Sequence, residues 1–217
     1  KKGINVSLVE GSVEKYDAIV VFSCGFINEA RRESISAIQS LVSQRDSLTR
    51  RPQIIVAGCM PQVFLSELQR KFPDVDAFVG IVEIDTLVRI IQTVTREKIS
   101  IPITYIHSAP EVRIDRPIKR RPLQRRHYSF LRIADGCDHR CTFCIIPKIK
   151  GHYRSVPREV LIAEAEQLVS KGIKEINVIA QDITRYGEDI YGSEYGLVEL
   201  LKQLANIPGE FWIRLLY

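Results

Sequence analysis

The 217-residue chain has no apolar run approaching 18 residues, which argues against a transmembrane helix and a membrane partner. Its opening residues, Lys1–Glu10, lack the long apolar core of a secretory signal. Glycine (12) and proline (10) are too few for a collagen-like or low-complexity chain. Cysteine is scarce and odd in number, five in all, and not spaced as a disulfide framework. Neither is there an excess of charge: 26% of residues are charged and 45% hydrophobic, which excludes a disordered chain. What remains is a soluble, cytoplasmic protein of one or two domains, long enough to bury a sizeable core.

The positive charge is local. Arg113–Arg126 (RIDRPIKRRPLQRR) holds seven Lys or Arg against one Asp, which exceeds the net +5 of the whole chain and leaves the rest close to neutral. Pro117 and Pro122 keep this stretch from forming a regular helix. It reads either as a solvated interdomain linker or as a contact to a polyanion such as RNA or the ribosome.

On either side of it, short β-like runs alternate with helical patterns. Ala18–Phe22, Ile54–Ala57 and, more weakly, Ala77–Val79 read as strands. Glu29–Leu48, Pro61–Lys71 and Ile84–Thr95 read as helices. Beyond the basic stretch, Tyr128–Ala134, Glu175–Ala180 and Phe211–Leu216 read as strands, and Pro157–Lys171 and Leu197–Ala205 as helices. Alternation of this kind means parallel sheets with helices on their faces. The expected fold class is α/β: an incomplete doubly wound parallel domain over residues 1–108, a basic linker over 109–127, and two and a half βα units over 128–217, too few to close a barrel. The first residue is not Met, and the first βα unit of the doubly wound domain is missing from the pattern, so the chain is expected to be a fragment of a longer protein.

Three of the cysteines, Cys137, Cys141 and Cys144, form C-x3-C-x2-C directly after an expected strand. A loop of this length can wrap three thiolates around one metal centre. A structural zinc site needs a fourth ligand, which His139 or His152 could supply. A cubane iron–sulfur cluster held by three thiolates instead leaves one iron open. A redox dithiol of Cys141 and Cys144 is a further reading. Cys24 and Cys59 each follow a strand, at the edge where open α/β sheets place ligands. Either alone reads as a buried small hydrophobe, while the matched pair points to a shared site.

These residues resemble the radical S-adenosylmethionine enzymes, whose hallmark C-x3-C-x-(aromatic)-C is met by Cys137, Cys141, Phe143 and Cys144. More narrowly, the chain is similar to the methylthiotransferases of that group. SCGFINEARRESI (Ser23–Ile35), AGCMPQ (Ala57–Gln62) and DGCDHRCTFCIIPKIKGHYRS (Asp135–Ser155) resemble that family's motifs. AQDITRYGEDIYG (Ala180–Gly192) and GEFWIRLLY (Gly209–Tyr217) fit the branch that modifies a ribosomal protein rather than the tRNA branch.

The resemblance implies a flavodoxin-like amino-terminal domain followed by a truncated radical barrel. It implies two [4Fe–4S] clusters, one at Cys137, Cys141 and Cys144 and a second at Cys24, Cys59 and a cysteine outside this chain. S-adenosylmethionine would be bound at the open iron and cleaved by one electron, yielding a radical that abstracts hydrogen from an unactivated carbon. A second S-adenosylmethionine would supply the methyl group. The implied product is a β-methylthio-aspartate on a small-subunit ribosomal protein, with an electron donor and a sulfur donor as further partners and an rRNA contact through Arg113–Arg126. Phe143, Arg154, Gln181 and Asp182 are the expected contacts to the cofactor. Tyr128, Phe130 and Trp212 are assigned to packing. The competing readings are methylthiolation of a tRNA adenosine, and a zinc-stabilised RNA-binding module.

Overall fold

The apolar run of the first strand, β1 (Ala18–Ser23), suggests cover on both faces, but the strand stands at the end of the strand order and leaves Phe22 70% exposed. In the computed structural model, which describes residues 4–97, 101–107 and 127–216, it opens a four-stranded parallel sheet. Helix α1 (Asn28–Asp46) leads to β2 (Gln53–Gly58), α2 (Cys59–Lys71) to β3 (Ala77–Val79), and α3 (Ile84–Arg96) to β4 (Ile103–Tyr105). The strand order is β1-β2-β3-β4, with Ser23 opposite Gly58 at the carboxyl end of the first pair. These elements belong to the unit Lys1–Val112.

The alternation of side chains along β2 and β3 divides the core into two layers. Ile54, Val56 and Phe78 meet Ile38 of α1 and Met60 and Leu68 of α2. Ile55, Ala57, Ala77 and Val79 meet Leu87, Ile90 and Val94 of α3. Burying each large aliphatic side chain stabilises the fold by roughly 1.5–3 kcal/mol. At the other end of the sheet, Arg45 holds Asp76 at 2.7 Å, and the same carboxylate oxygen accepts the Ile54 N–H at 2.7 Å. Two details differ from the sequence pattern. Helix α2 begins at Cys59, two residues before Pro61. That proline is tolerated because first-turn N–H groups have no partner within the helix. Strand β4 has only three residues, too short to show a period.

The second unit, Arg113–Tyr217, is described from His127; the basic stretch Arg113–Arg126 lies outside the described residues. Strand β5 (Tyr128–Arg132) is followed by β6 (Ala134–Asp135), α4 (Ile146–Lys150) and β7 (Arg154–Ser155). Then come α5 (Arg158–Ser170), β8 (Glu175–Ile179), α6 (Glu188–Tyr191), α7 (Leu197–Ala205) and β9 (Trp212–Leu216). Strands β5, β8 and β9 form a parallel sheet in that order, and β6 pairs antiparallel with β7. One face of the three-stranded sheet, with Leu131, Ile176 and Val178, packs on Leu161 and Ala165 of α5 and Leu200 and Leu204 of α7.

The opposite face overturns one expectation. Tyr128 lies across Glu175 from Trp212 in the ladder, and Phe130 shares their face. Trp212 is 76% and Phe130 42% exposed. They are not core filler, because α5 and α7 cover only the other side of the sheet.

Candidate metal centre and cofactor site

The cysteine loop, residues 137–144, hangs between β6 and α4. Its stem is closed by the β6–β7 pairing and by the Cys137 N–H, which donates to Gly151 O at 3.2 Å. Gly136 makes this closure possible. It has φ +79°, and a Cβ there would stand 2.0 Å from His152 O. At the far end the Cys144 N–H donates to Cys141 O at 3.1 Å, folding the last thiols into a turn. Cys137 is buried, Cys141 exposed and Cys144 partly buried. Phe143 beside them is 90% exposed, so it is not core filler.

Side chains of the loop reach away from it. Asp138 Oδ1 meets His152 Nδ1 at 2.7 Å, and its Oδ2 accepts the Tyr153 N–H at 3.3 Å. The His152 hydrogen bond holds the Asp138 carboxyl below its ordinary range. His139 Nε2 lies 2.9 Å from Asp182 Oδ2. Asp182 Oδ1 accepts both the Thr184 N–H at 3.0 Å and the Thr184 hydroxyl at 2.6 Å. Burial alone would raise Asp182; the bonds from Thr184 and His139 outweigh it and hold the carboxyl low. The Tyr153 hydroxyl donates to Asp182 O at 2.9 Å. Burial, helped by Asp182 and Asp189, pushes that hydroxyl up to about 12.

Both histidines that could have closed a four-ligand zinc site are therefore turned to carboxylates. Among the described residues no three Cys, His, Asp or Glu side chains converge on a point where one metal ion would sit. Thiolates on separate corners of a cluster stand farther apart than those sharing one ion. Three thiols on one loop are a soft donor set of the kind that iron–sulfur clusters take.

Of the other expected cofactor residues, Gln181 is exposed and Arg154 is partly buried in β7, its backbone opposite Asp135. Asp182 sits after β8 as expected, but both its oxygens already have partners. In the other unit, Cys24 and Cys59 each come one residue after the register pair Ser23 and Gly58, and both are partly buried. A Cβ on Gly25 would stand 2.8 Å from Cys59 O, so the two segments touch. The Cys24 N–H donates to Ser34 Oγ at 3.2 Å. Gln62, three residues after Cys59, accepts the Ile81 N–H at 3.1 Å and donates to His107 O at 2.6 Å, joining the ends of β3 and β4 beside this site.

Comparison with known proteins places both units. Residues 131–215 match the radical SAM superfamily, and residues 2–80 match uncharacterized protein family UPF0004. The ribosomal protein uS12 methylthiotransferase RimO of Pelobacter propionicus is 43% identical over 203 residues, covering 93% of this chain and 44% of that protein. The protein of the same name from Thermoanaerobacter sp. is 37% identical over 217 residues, covering 100% of this chain and 48% of its own. The chain belongs to the radical S-adenosylmethionine methylthiotransferase family. It spans about half the length of the curated relatives it matches. The solved structure of the radical S-adenosylmethionine methyltransferase TsrM from Kitasatospora setae, with cobalamin and a [4Fe–4S] cluster bound, aligns with a TM-score of 0.54 at 15% identity. It covers 77% of this chain and 36% of that one, a likeness of fold.

Membership of the radical SAM superfamily implies a [4Fe–4S] cluster and S-adenosylmethionine as cofactors. In this family member the ties from Asp138, His139, Tyr153, Thr184 and Gln62 were missed in the sequence. The one local signal was the Asp-x-Thr spacing of Asp182 and Thr184, a common turn in which an Asp oxygen caps the N–H two residues on.

Proposed function

We propose that the protein is a cytoplasmic radical S-adenosylmethionine methylthiotransferase that places a methylthio group on the β-carbon of an aspartate in ribosomal protein uS12. The observation that carries this reading is the three-thiol loop whose neighbouring histidines are both bound to carboxylates. Cys137, Cys141 and Cys144 would hold one [4Fe–4S] cluster and leave one iron for the amino and carboxylate groups of the sulfonium cofactor. That cluster would supply one electron to break the sulfonium and start hydrogen abstraction from an unactivated carbon. Cys24 and Cys59, side by side at strand ends, would be two ligands of a second cluster. Phe143, exposed beside Cys144, would cover the first cluster from solvent. Arg154 and Gln181 stand near enough in sequence to the loop and to β8 to meet the cofactor's polar groups. The relatives' shared substrate name and the AQD-x-T pattern after β8 favour the ribosomal protein over a tRNA adenosine.

Anaerobic reconstitution followed by iron and acid-labile sulfide analysis tests the cofactor half of the proposal. Changing Cys137→Ala should remove about four irons per chain, the content of one cube. Binding of one zinc and no iron would overturn it. Incubation of the full-length enzyme with small ribosomal subunits, followed by mass measurement of uS12, tests the substrate. An unmodified uS12 beside a modified tRNA nucleoside would transfer the activity to the other branch.

A further inference from the structure

We propose that His139 and Asp182 form a clasp that sets the shape of the cysteine loop, so that Asp182 is a positioning residue rather than a contact to the sulfonium cofactor. Only three residues separate Cys137 from Cys141, and two of them leave the loop. Asp138 binds His152 and the Tyr153 backbone on the β7 side. His139 binds Asp182, 43 residues away, on the segment after β8. An ionised carboxylate only accepts, so His139 Nε2 carries the proton of this bond.

The anchor itself is fixed. Asp182 Oδ1 is taken twice by Thr184, Oδ2 by His139, and the Asp182 carbonyl by the Tyr153 hydroxyl. With each oxygen already bonded within the protein, Asp182 is placed to hold the loop, in place of the cofactor contact that the resemblance implies. The spacer between the first two thiols is thereby tied on two sides at once, to the β7 edge and to the β8 edge. A cube must meet its thiolates at fixed corners, so a loop held in shape loses less freedom on loading than a free one. Partners that orient metal ligands in this way typically change affinity by about 10–100-fold when removed.

The inference rests on the cluster reading above, and its test separates the two. The full-length protein and the variants Asp182→Ala, His139→Ala, the double Asp182→Ala/His139→Ala, and the conservative Asp182→Asn are reconstituted anaerobically. Iron retained against a chelator is measured, with the electron paramagnetic resonance of the reduced cluster with and without S-adenosylmethionine. Thermal unfolding of the iron-free proteins gives the structural baseline. Each alanine variant should retain iron about tenfold less firmly, with unfolding near that of the parent. The double variant should be no worse than either single one, because the two residues act as a pair. Asp182→Asn, which keeps an oxygen acceptor, should restore much of the retention. Losses that multiply in the double variant would overturn the clasp. So would an Asp182→Ala protein that keeps its iron but loses the spectral response to S-adenosylmethionine, since that is the behaviour of a cofactor contact. A parent protein that takes up no iron overturns the cluster reading and the clasp with it, and is distinguished by appearing before any substitution.

Discussion

The two cysteine sites are built by different means. Cys24 and Cys59 are placed by a β-ladder: each extends one residue past the register pair Ser23 and Gly58, so the backbone of two neighbouring strands brings them together. Cys137, Cys141 and Cys144 sit on a loop, and side chains determine its shape. The first arrangement is as rigid as the sheet beneath it. The second depends on polar ties from Asp138, His139 and Tyr153 that can be removed one at a time. A site on strand ends is therefore expected to fail when the core or a close backbone approach is disturbed, and a site on a loop when its ties are cut.

Removing thiols should give the largest effect. Cys137→Ala should abolish iron at the loop and leave the strand-end site unchanged, whereas Cys59→Ala should do the reverse. Iron and sulfide analysis of the two variants checks this, and equal losses from both would mean that the sites are not independent.

Steric substitutions come next. At Gly136 an alanine combines a left-handed backbone with a Cβ 2.0 Å from His152 O, so Gly136→Ala should cost more than about 2 kcal/mol by denaturant unfolding. Gly25→Ala meets Cys59 O at 2.8 Å without the backbone penalty. It should cost about 1–2 kcal/mol while separating the two strand-end thiols.

Polar anchors of the two units provide a third contrast. Arg45→Ala leaves the Asp76 carboxylate half-buried without its cation, and should destabilise the first unit by about 2–3 kcal/mol, short of the loss at a fully buried pair.

The smallest effect is a pH dependence confined to the second unit. The Tyr153 hydroxyl titrates near 12 in the folded chain, through burial and the facing Asp182 and Asp189, with Arg185 opposing them and Ser155 bonded beside it. The unfolded chain gives up this proton first, near pH 10. The stabilisation is therefore complete below about pH 10 and is lost as pH rises toward about 12. Tyr153→Phe should lessen that alkaline slope, to which the buried hydroxyls of Tyr186 and Tyr195 also contribute, and cost about 1 kcal/mol at neutral pH for the lost bond to Asp182 O. Unfolding midpoints between pH 8 and 12 measure both, and an unchanged slope would remove Tyr153 as its source.

Much of this was legible beforehand where the signal is local. The β-branched run of β2 and the apolar Leu87 and Ile90 of α3 report burial directly, because a covered strand or helix face requires such a pattern. The thiol triplet is legible for a similar reason, since three donors within eight residues can share a centre whatever surrounds them. Strand β4 and the two-residue pair β6 and β7 were not legible. Segments that short carry no period, and they form only because a partner stands ready to take their hydrogen bonds. Trp212 and Phe130 misled in the other direction: aromatic strand residues read as core, and only the placement of α5 and α7 on a single face of the sheet shows them to be exposed.

By itself the sequence determined the α/β class, the order of the main elements and the identity of the donor atoms, all of which are consequences of local periodicity and of side-chain chemistry. The tertiary structure alone decided that Trp212 and Phe130 stand exposed, that His139 and His152 face carboxylates, and that both oxygens of Asp182 find partners within the protein. Those outcomes depend on residues far apart in the chain, and a contact between such residues leaves no imprint on the composition or spacing of either partner.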